Sequence, residues 1–306
     1  MTNKILVLGD VMLDEYWYRN SNRISPEAPV PIVNFNNKDL RLGGAANVAA
    51  NISSLGGNVT LLSLIGDDEK TKIFNELVVS NHIKHIAIKA KNLKITTKLR
   101  IISSNQQITR IDFDTETSSL SKLIFNKLKK IFHEFDLFVF SDYNKGSLSK
   151  IKLMIEFLVK NNKNKILVDP KKKDYICYSN SLIMTPNKKE FLNYINVTSF
   201  DDRAIELGFE FIKKLKLKYL LVTLGENGMV LFNHNKKTLI KANADEVYDV
   251  SGAGDTVIAS LAYCLANSVS IVNAVKFSNM TAGIVVGKHG TSIIKKNDIK
   301  KMRNFL

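Results

Sequence analysis

The run "DVSGAGDTVIASLAYCLANS", residues 249–268, sets two glycines, Gly252 and Gly254, directly before a carboxylate, Asp255, and follows the acid with an apolar stretch. Gly252, Ala253 and Gly254 carry almost no side chain, so their backbone N–H groups can crowd around an anion. A helix beginning near Asp255 adds its positive end. Together these make a pocket for a phosphate. A carboxylate beside it can take a proton from an attacking hydroxyl while the donors stabilise the transferring group. Loop and acid thus fit phosphoryl transfer from a nucleotide to an alcohol. Taken alone, the commoner meaning of the pattern is an acid capping a helix. Other phosphate motifs do not decide the matter. "GIVVGKH" is one residue short of a GxxxxGK[ST] loop, and "GAGDTV" is not GxGxxG.

The rest of the chain supplies the context. Its 306 residues suffice for one large α/β domain or two small ones, and 45% apolar with 24% charged residues predicts a real core. No apolar run approaches the roughly 18 residues of a membrane span, and "MTNKILVLGD" runs straight into a strand-like segment without the features of a signal peptide. Cys177 and Cys264 form neither a disulfide framework nor a metal motif, which points to free thiols in a reducing cytoplasm. The formal charge of +15 invites nucleic acid as a partner. The lysines are scattered, however, over what read as solvated helix faces ("FNKLKKIF", "FIKKLKLK"), and no basic-aromatic module appears. We expect no nucleic-acid and no membrane partner.

Short apolar runs ending in polar residues ("KILVLGD", "LFVFSDY", "KILVDP", "YLLVTLG") alternate with segments of three- and four-residue apolar spacing ("LSKIKLMIEFLVKNNK", "RAIELGFEFIKKLKL"). Strands apolar on both faces, separated by amphipathic helices, predict an α/β doubly wound, mostly parallel sheet in a single domain over 1–306. Two stretches break the rhythm. Residues 15–42 hold three of the five prolines, and residues 85–115 alternate apolar and polar as a half-exposed ribbon does. They are expected to form a small β-sheet lid over the carboxyl edge of the main sheet. The ribbon makes a homodimer plausible.

"GGAANVAANISSLGG" near the front and "DVSGAGDTVIAS" near the back, about two hundred residues apart, resemble the paired signatures of the ribokinase-like (PfkB) carbohydrate kinases. "GDVMLD", "TPNKKE" and "VTLGENG" extend the similarity along essentially the whole chain. "SDYNKGSL", "TTKLRIISSNQQITRIDFD" and "AGIVVGKHGTS" resemble the heptose 7-phosphate kinases of that family in particular. The resemblance implies ATP and Mg2+ as cofactors. It also implies transfer to O1 of D-glycero-β-D-manno-heptose 7-phosphate on the route to ADP-heptose for lipopolysaccharide, in the cytoplasm. A kinase for another sugar phosphate or a nucleoside is the alternative, and a basic nucleic-acid-binding protein that keeps only the fold is the remote one. The chain ends at "KKMRNFL" without an adenylyltransferase motif, so a separate adenylyltransferase is expected.

By the same resemblance Asp255 is the general base, with Gly252, Ala253 and Gly254 as backbone donors. Asp14, Gly43, Gly44 and Asn47 meet the sugar, although Asp14 could be a loop acid and the glycines could serve close helix packing. Asn187 and Glu190 serve the ATP phosphates, with Glu190 reaching the metal through water; their spacing equally suits a helix start. Thr223, Gly225 and Gly228 form the nucleotide loop, and Asn279 either lies by the adenine or is a helix-surface residue. A substrate that already bears a phosphate needs a cationic clamp, for which Arg100, Arg110 and Lys145 are candidates; each could instead be a solvated charge. His82 and His85 lack a third metal ligand and read as surface or lid residues. Lys172 and Ser251 depart from the family's usual Gly and Thr.

Overall fold

The computed structural model describes residues 3–19, 24–30, 32, 37–103, 106–242, 247–295 and 297–298. Two sheets organise them. The strands run β1 (Lys4–Gly9), β2 (Val11–Arg19), β3 (Asn37–Gly44), β4 (Asn58–Ile65), β5 (Lys84–Lys89), β6 (Thr96–Ser103), β7 (Gln106–Phe113), β8 (Leu137–Ser141), β9 (Ile166–Asp169), β10 (Ile183–Met184), β11 (Tyr219–Thr223), β12 (Met229–Phe232) and β13 (Lys237–Ile240). The large sheet has nine strands in the order β13-β12-β11-β10-β9-β8-β1-β4-β5. All of its pairings are parallel except those of β11 with β12 and β12 with β13.

The apolar runs behave as their composition requires. Alternate residues of one strand enter opposite layers: Ile5 and Val7 of β1 join one core, Leu6 and Leu8 the other. The first core is closed by α1 (Ala45–Ser54), α2 (Glu69–Ser80), α7 (Ala253–Ala266) and α8 (Ile271–Val286). The second is closed by α3 (Ser121–Ile131), α4 (Ile151–Lys160), α5 (Lys188–Ile195) and α6 (Asp202–Leu215). The sheet is therefore doubly wound, as the alternation predicts.

The small sheet has the order β3-β2-β6-β7. The ribbon expected over 85–115 is shorter than its sequence pattern. Residues 85–89 belong to β5 and pair with β4 at the edge of the large sheet. An edge strand with one wet face has the same alternation as a ribbon, which is why the two read alike. His85 accordingly lies in the main sheet, where its ring meets the Ser63 hydroxyl and burial pushes its pKa down to about 4. Residues 20–23, 31 and 33–36 of the expected 15–42 segment, and 104–105 of the ribbon, lie outside the described residues.

The strand order reverses between β1 and β8, because the chain steps from β1 toward β5 and from β8 toward β13. Ligands of open α/β sheets bind beyond the carboxyl ends of the strands at such a switch point. Here the end of β1 carries Asp10, buried to 4% exposure. Its carboxylate accepts the backbone N–H groups of Tyr143 and Lys145, both at 3.0 Å, and of Ser147 at 3.1 Å. One side chain thus pins the loop after β8 to the end of β1. Asp10→Ala leaves three N–H groups without that acceptor and should cost about 2–4 kcal/mol of unfolding free energy, read by urea denaturation. Asp10→Asn, which keeps one acceptor oxygen, should cost less. A loss below about 1 kcal/mol for Asp10→Ala would refute this role.

Candidate active site

Three elements converge on Asp255. It sits in the first turn of α7, 3% exposed, behind Gly252, which takes the left-handed conformation at φ 81°. A Cβ on Gly252 would lie 3.0 Å from the Asn47 amide and 3.1 Å from Thr291, so glycine is needed for both backbone and space. Asn47 of α1 donates to Asp255 Oδ2 at 2.8 Å, and the Tyr143 hydroxyl, from the loop after β8, donates to Oδ1 at 2.6 Å. Helix α1 packs against α7, and its buried residues include Ala45, Ala46, Ala49 and Ala50. Burial is the largest influence on the acid and raises its pKa to about 6. The Tyr143 and Asn47 hydrogen bonds and Lys98 oppose that rise, and Asp14 adds to it. A carboxylate so poised is ionised at neutral pH and basic enough to take a proton.

The loop before it differs from expectation in one detail. The N–H of Ala253 turns back onto Val250 O at 3.2 Å, so it is engaged within the loop. The first-turn N–H groups of Gly254 and Asp255 have no backbone acceptor among the described residues. A Cβ built on Gly254 meets nothing within 4 Å, so an anion has open access to this helix end.

Asp14 lies on β2, 4% exposed, and is linked to the same centre. Its Oδ1 pairs with Arg100 at 2.6 Å, and its Oδ2 accepts from the Thr291 hydroxyl at 2.8 Å. The Tyr16 hydroxyl accepts from Thr291 N at 2.7 Å. Gly43 and Gly44 close this side. A Cβ on Gly43 would stand 2.7 Å from Asp14 Oδ2, and one on Gly44 would stand 2.4 Å from Asp10 O. These glycines bring β3 and the start of α1 against the two acids.

The three candidate clamp cations are not free. Arg100 is buried against Asp14 and stacked on the Tyr16 ring. Arg110 forks onto Asp112 at 2.8 and 3.1 Å. Lys145 binds Asp114, while its backbone bonds Asp10 and Thr117. Arg110 finds its acid on its own strand, whereas Arg100 and Lys145 find theirs on other segments, which the sequence pattern did not reveal.

On the nucleotide side, Asn187 and Glu190 form a capping box at the start of α5. Glu190 N–H binds the Asn187 side chain at 2.9 Å, and Asn187 N–H binds Glu190 Oε2 at 3.0 Å. Lys171 holds Glu190 Oε1 at 2.8 Å. The helix-start reading of that spacing is therefore realised, and metal contact would have to use the remaining lone pairs. Thr223 ends β11 and bridges to Asn187. Gly225 and Gly228 follow at φ 62° and 84°. Asn279 is 7% exposed and donates to Lys241 O at 2.7 Å, so it is not a surface residue; it ties α8 to the segment after β13.

Asp169, at the end of β9, was not singled out by sequence, nor were Asp10, Tyr16, Lys98, Tyr143 or Thr291. Their common signal is position, at or just past a strand's carboxyl end or on the inner face of the small sheet. Burial first, then the neighbouring charges of Asp255 and Glu190, push the Asp169 pKa well above the usual carboxylate range. Among the described residues no group of three or more His, Cys, Asp or Glu side chains could cage a metal ion. Among the described residues no helix is long and apolar enough to cross a membrane.

Comparisons with known proteins agree with this geometry. Bifunctional protein HldE of Proteus mirabilis is 41% identical over 298 residues, 97% of this chain and 63% of that protein. The protein of the same name from Psychromonas ingrahamii is 41% identical over 294 residues, 95% of this chain and 62% of that one. The chain spans about three fifths of the length of these curated relatives. Among solved structures, phosphofructokinase-2 of Escherichia coli in complex with substrates and products superposes with a TM-score of 0.80 at 20% identity, covering 100% of this chain and 99% of that one. Ribokinase from Thermotoga maritima gives 0.78 at 21% identity, with 99% of each chain covered. At such identities the likeness is one of fold. The description pfkB family carbohydrate kinase matches residues 2–298, and this chain belongs to that family, whose enzymes transfer a phosphoryl group from ATP to a sugar hydroxyl.

Proposed function

We propose that the chain phosphorylates D-glycero-β-D-manno-heptose 7-phosphate at O1, with Mg-ATP as the donor substrate, to give the 1,7-bisphosphate. The observation that carries the chemistry is the carboxylate of Asp255, buried at a helix N-terminus beside an open glycine and bonded by Asn47 and Tyr143. The heptose assignment is supported by the matching stretches "SDYNKGSL" and "AGIVVGKHGTS" and by the 41% identity to the HldE proteins.

In this reading Asp255 accepts the anomeric O–H proton as that oxygen bonds to the γ-phosphorus. The bond from phosphorus to the β–γ bridging oxygen breaks, and ADP leaves. The N–H groups of Gly254 and Asp255 and the helix end bear the charge that develops on the phosphoryl oxygens. Asp14 orients the sugar. Glu190 would hold Mg2+ through water, and the ion, carried on the ATP phosphates, would offset their negative charge. The cytoplasm is where ATP and such a sugar phosphate coexist.

We also infer a homodimer through the small sheet. Edge strand β7 exposes Ile111 and Phe113, at 42% and 53%, on the face away from Asp112. Sedimentation velocity at micromolar concentration should give twice the chain mass, and Phe113→Asp should shift the species toward the monomer. A wild-type monomer at that concentration would refute the dimer.

Four further expectations concern the chemistry. A coupled ADP-release assay should give higher kcat/KM with heptose 7-phosphate than with ribose, adenosine or fructose 6-phosphate; the reverse order would overturn the substrate. Asp255→Asn should lower kcat by roughly two or more decades while ATP still binds. Since the base must be ionised, wild-type kcat should fall as pH drops below about 6. The charged and titratable groups facing Asp255 are Asp14, Lys98, Tyr143 and Asp169. Tyr143→Phe removes a hydrogen bond that lowers the Asp255 pKa, so this acid limb should move to higher pH, by roughly one unit. An unmoved limb would show that Tyr143 does not act on the base.

A further inference from the structure

The inner face of the small sheet has an ordered charge pattern. Pairing sets Asp14, Lys98 and Asp112 side by side in one row, and Tyr16, Arg100 and Arg110 in the next. Side chains two residues apart share a face, so all six point the same way, toward Thr291, to which both Asp14 and Tyr16 bond. Strand β3 adds Arg41 beside Asp14 and Asp39 beside Tyr16, so the face holds three acids and four cations, and Arg41 takes Asp39 at 2.6 Å. Arg100 takes the first acid, Asp14, at 2.6 Å, and Arg110 takes the second, Asp112, at 2.8 Å. Lys98 stands between two acids that are already neutralised. Among the described residues its ammonium has no hydrogen bond and no ion pair; its recorded contact is with the Tyr143 ring, 5.3 Å below. That is the ring whose hydroxyl holds Asp255. Burial also lowers the Lys98 pKa, an influence that outweighs the raising effect of Asp14 and Asp112. A half-buried cation without a counter-ion is costly unless a ligand supplies one.

We propose that Lys98 binds the phosphate monoester that the sugar substrate already carries, and so makes the enzyme selective for phosphorylated sugars. The transferring phosphate has its own donors at the start of α7, whereas Lys98 lies on the opposite wall, in the row of Asp14. The Tyr143 ring spans the distance between Lys98 and Asp255, so one sugar can present its reacting hydroxyl to the acid and its phosphate to the ammonium. Arg100, Arg110 and Lys145 would not make that contact without giving up an acid. The proposal rests on the sugar-phosphate reading above, but the two can fail separately.

The test compares heptose with heptose 7-phosphate as substrates for the wild type, Lys98→Met and Lys98→Arg. The wild type should prefer the phosphorylated sugar in kcat/KM. Lys98→Met should lose about 10- to 100-fold of that preference, the worth of one hydrogen bond to a charged group, mainly through KM. Lys98→Arg should retain most of it. The unphosphorylated sugar is the internal control for folding. If Lys98→Met lowers kcat equally for both sugars, Lys98 serves the transferring phosphoryl, and the proposal falls while the substrate assignment stands. If the preference survives in Lys98→Met, the phosphate is held elsewhere and the proposal also falls. A wild type that favours the unphosphorylated sugar overturns the sugar-phosphate reading before any variant is made, and this proposal with it.

Discussion

A buried carboxylate has to be held by other groups, and here those groups come from distant parts of the chain. Asp255 belongs to α7, Asn47 to α1 and Tyr143 to the loop after β8. Each hydrogen bond fixes a separation between elements. The α1–α7 contact must be close enough for an amide to reach the acid. The β8 loop must rise to a definite height, which Asp10 sets by collecting three of its N–H groups. The rest of the fold supplies rigidity for this arrangement. The two apolar layers on either side of the large sheet keep the strand ends where Asp10, Tyr143 and Asp169 emerge.

The electrostatic state of the acid follows from the same contacts. Burial by itself would favour the protonated, unreactive form at neutral pH. The two hydrogen bonds stabilise the charged form and stop the rise at about 6. Asp169, with one long hydrogen bond from the Thr185 hydroxyl, is pushed well above the usual carboxylate range by burial and by the charges of Asp255 and Glu190. The two carboxyls thus sit in different surroundings within one cleft, and burial raises the pKa of both. In the proposed mechanism Asp255 is the proton acceptor.

Much of this was legible in the sequence, for identifiable reasons. Strands buried on both faces leave unbroken apolar runs, so "KILVLGD" and "LFVFSDY" announced a parallel sheet. Glycines before an acid leave a pattern because only they satisfy the loop's backbone, and Gly252 has the positive φ that explains its presence. What the sequence hid were partnerships. Lys145 looked like a free cation in "DYNKG", yet its function in the fold is to tie that loop to Asp10 and Asp114, while the neighbouring Tyr143 reaches the acid. Asn187 and Glu190 matched a nucleotide element and a helix cap at once, and the cap is what the geometry displays. No local pattern separates these readings, because the deciding partner in each case is an atom rather than a spacing.

The clamp cations show the same limit and a way past it. Residue type alone favoured arginine for a phosphate, since its fork binds two oxygens. The same fork makes arginine the better partner for a carboxylate across or along a ladder, and Arg100 and Arg110 are each paired with such a carboxylate. A lysine has a single rotatable point charge, and Lys98 is left with the face of Tyr143 in place of an acid. A search for ligand-binding charge in a ribbon should therefore begin by pairing its cations with the acids within reach. The cation that remains is the one with an unmet need for a negative partner, and in this sheet it stands over the ring that holds the proposed base.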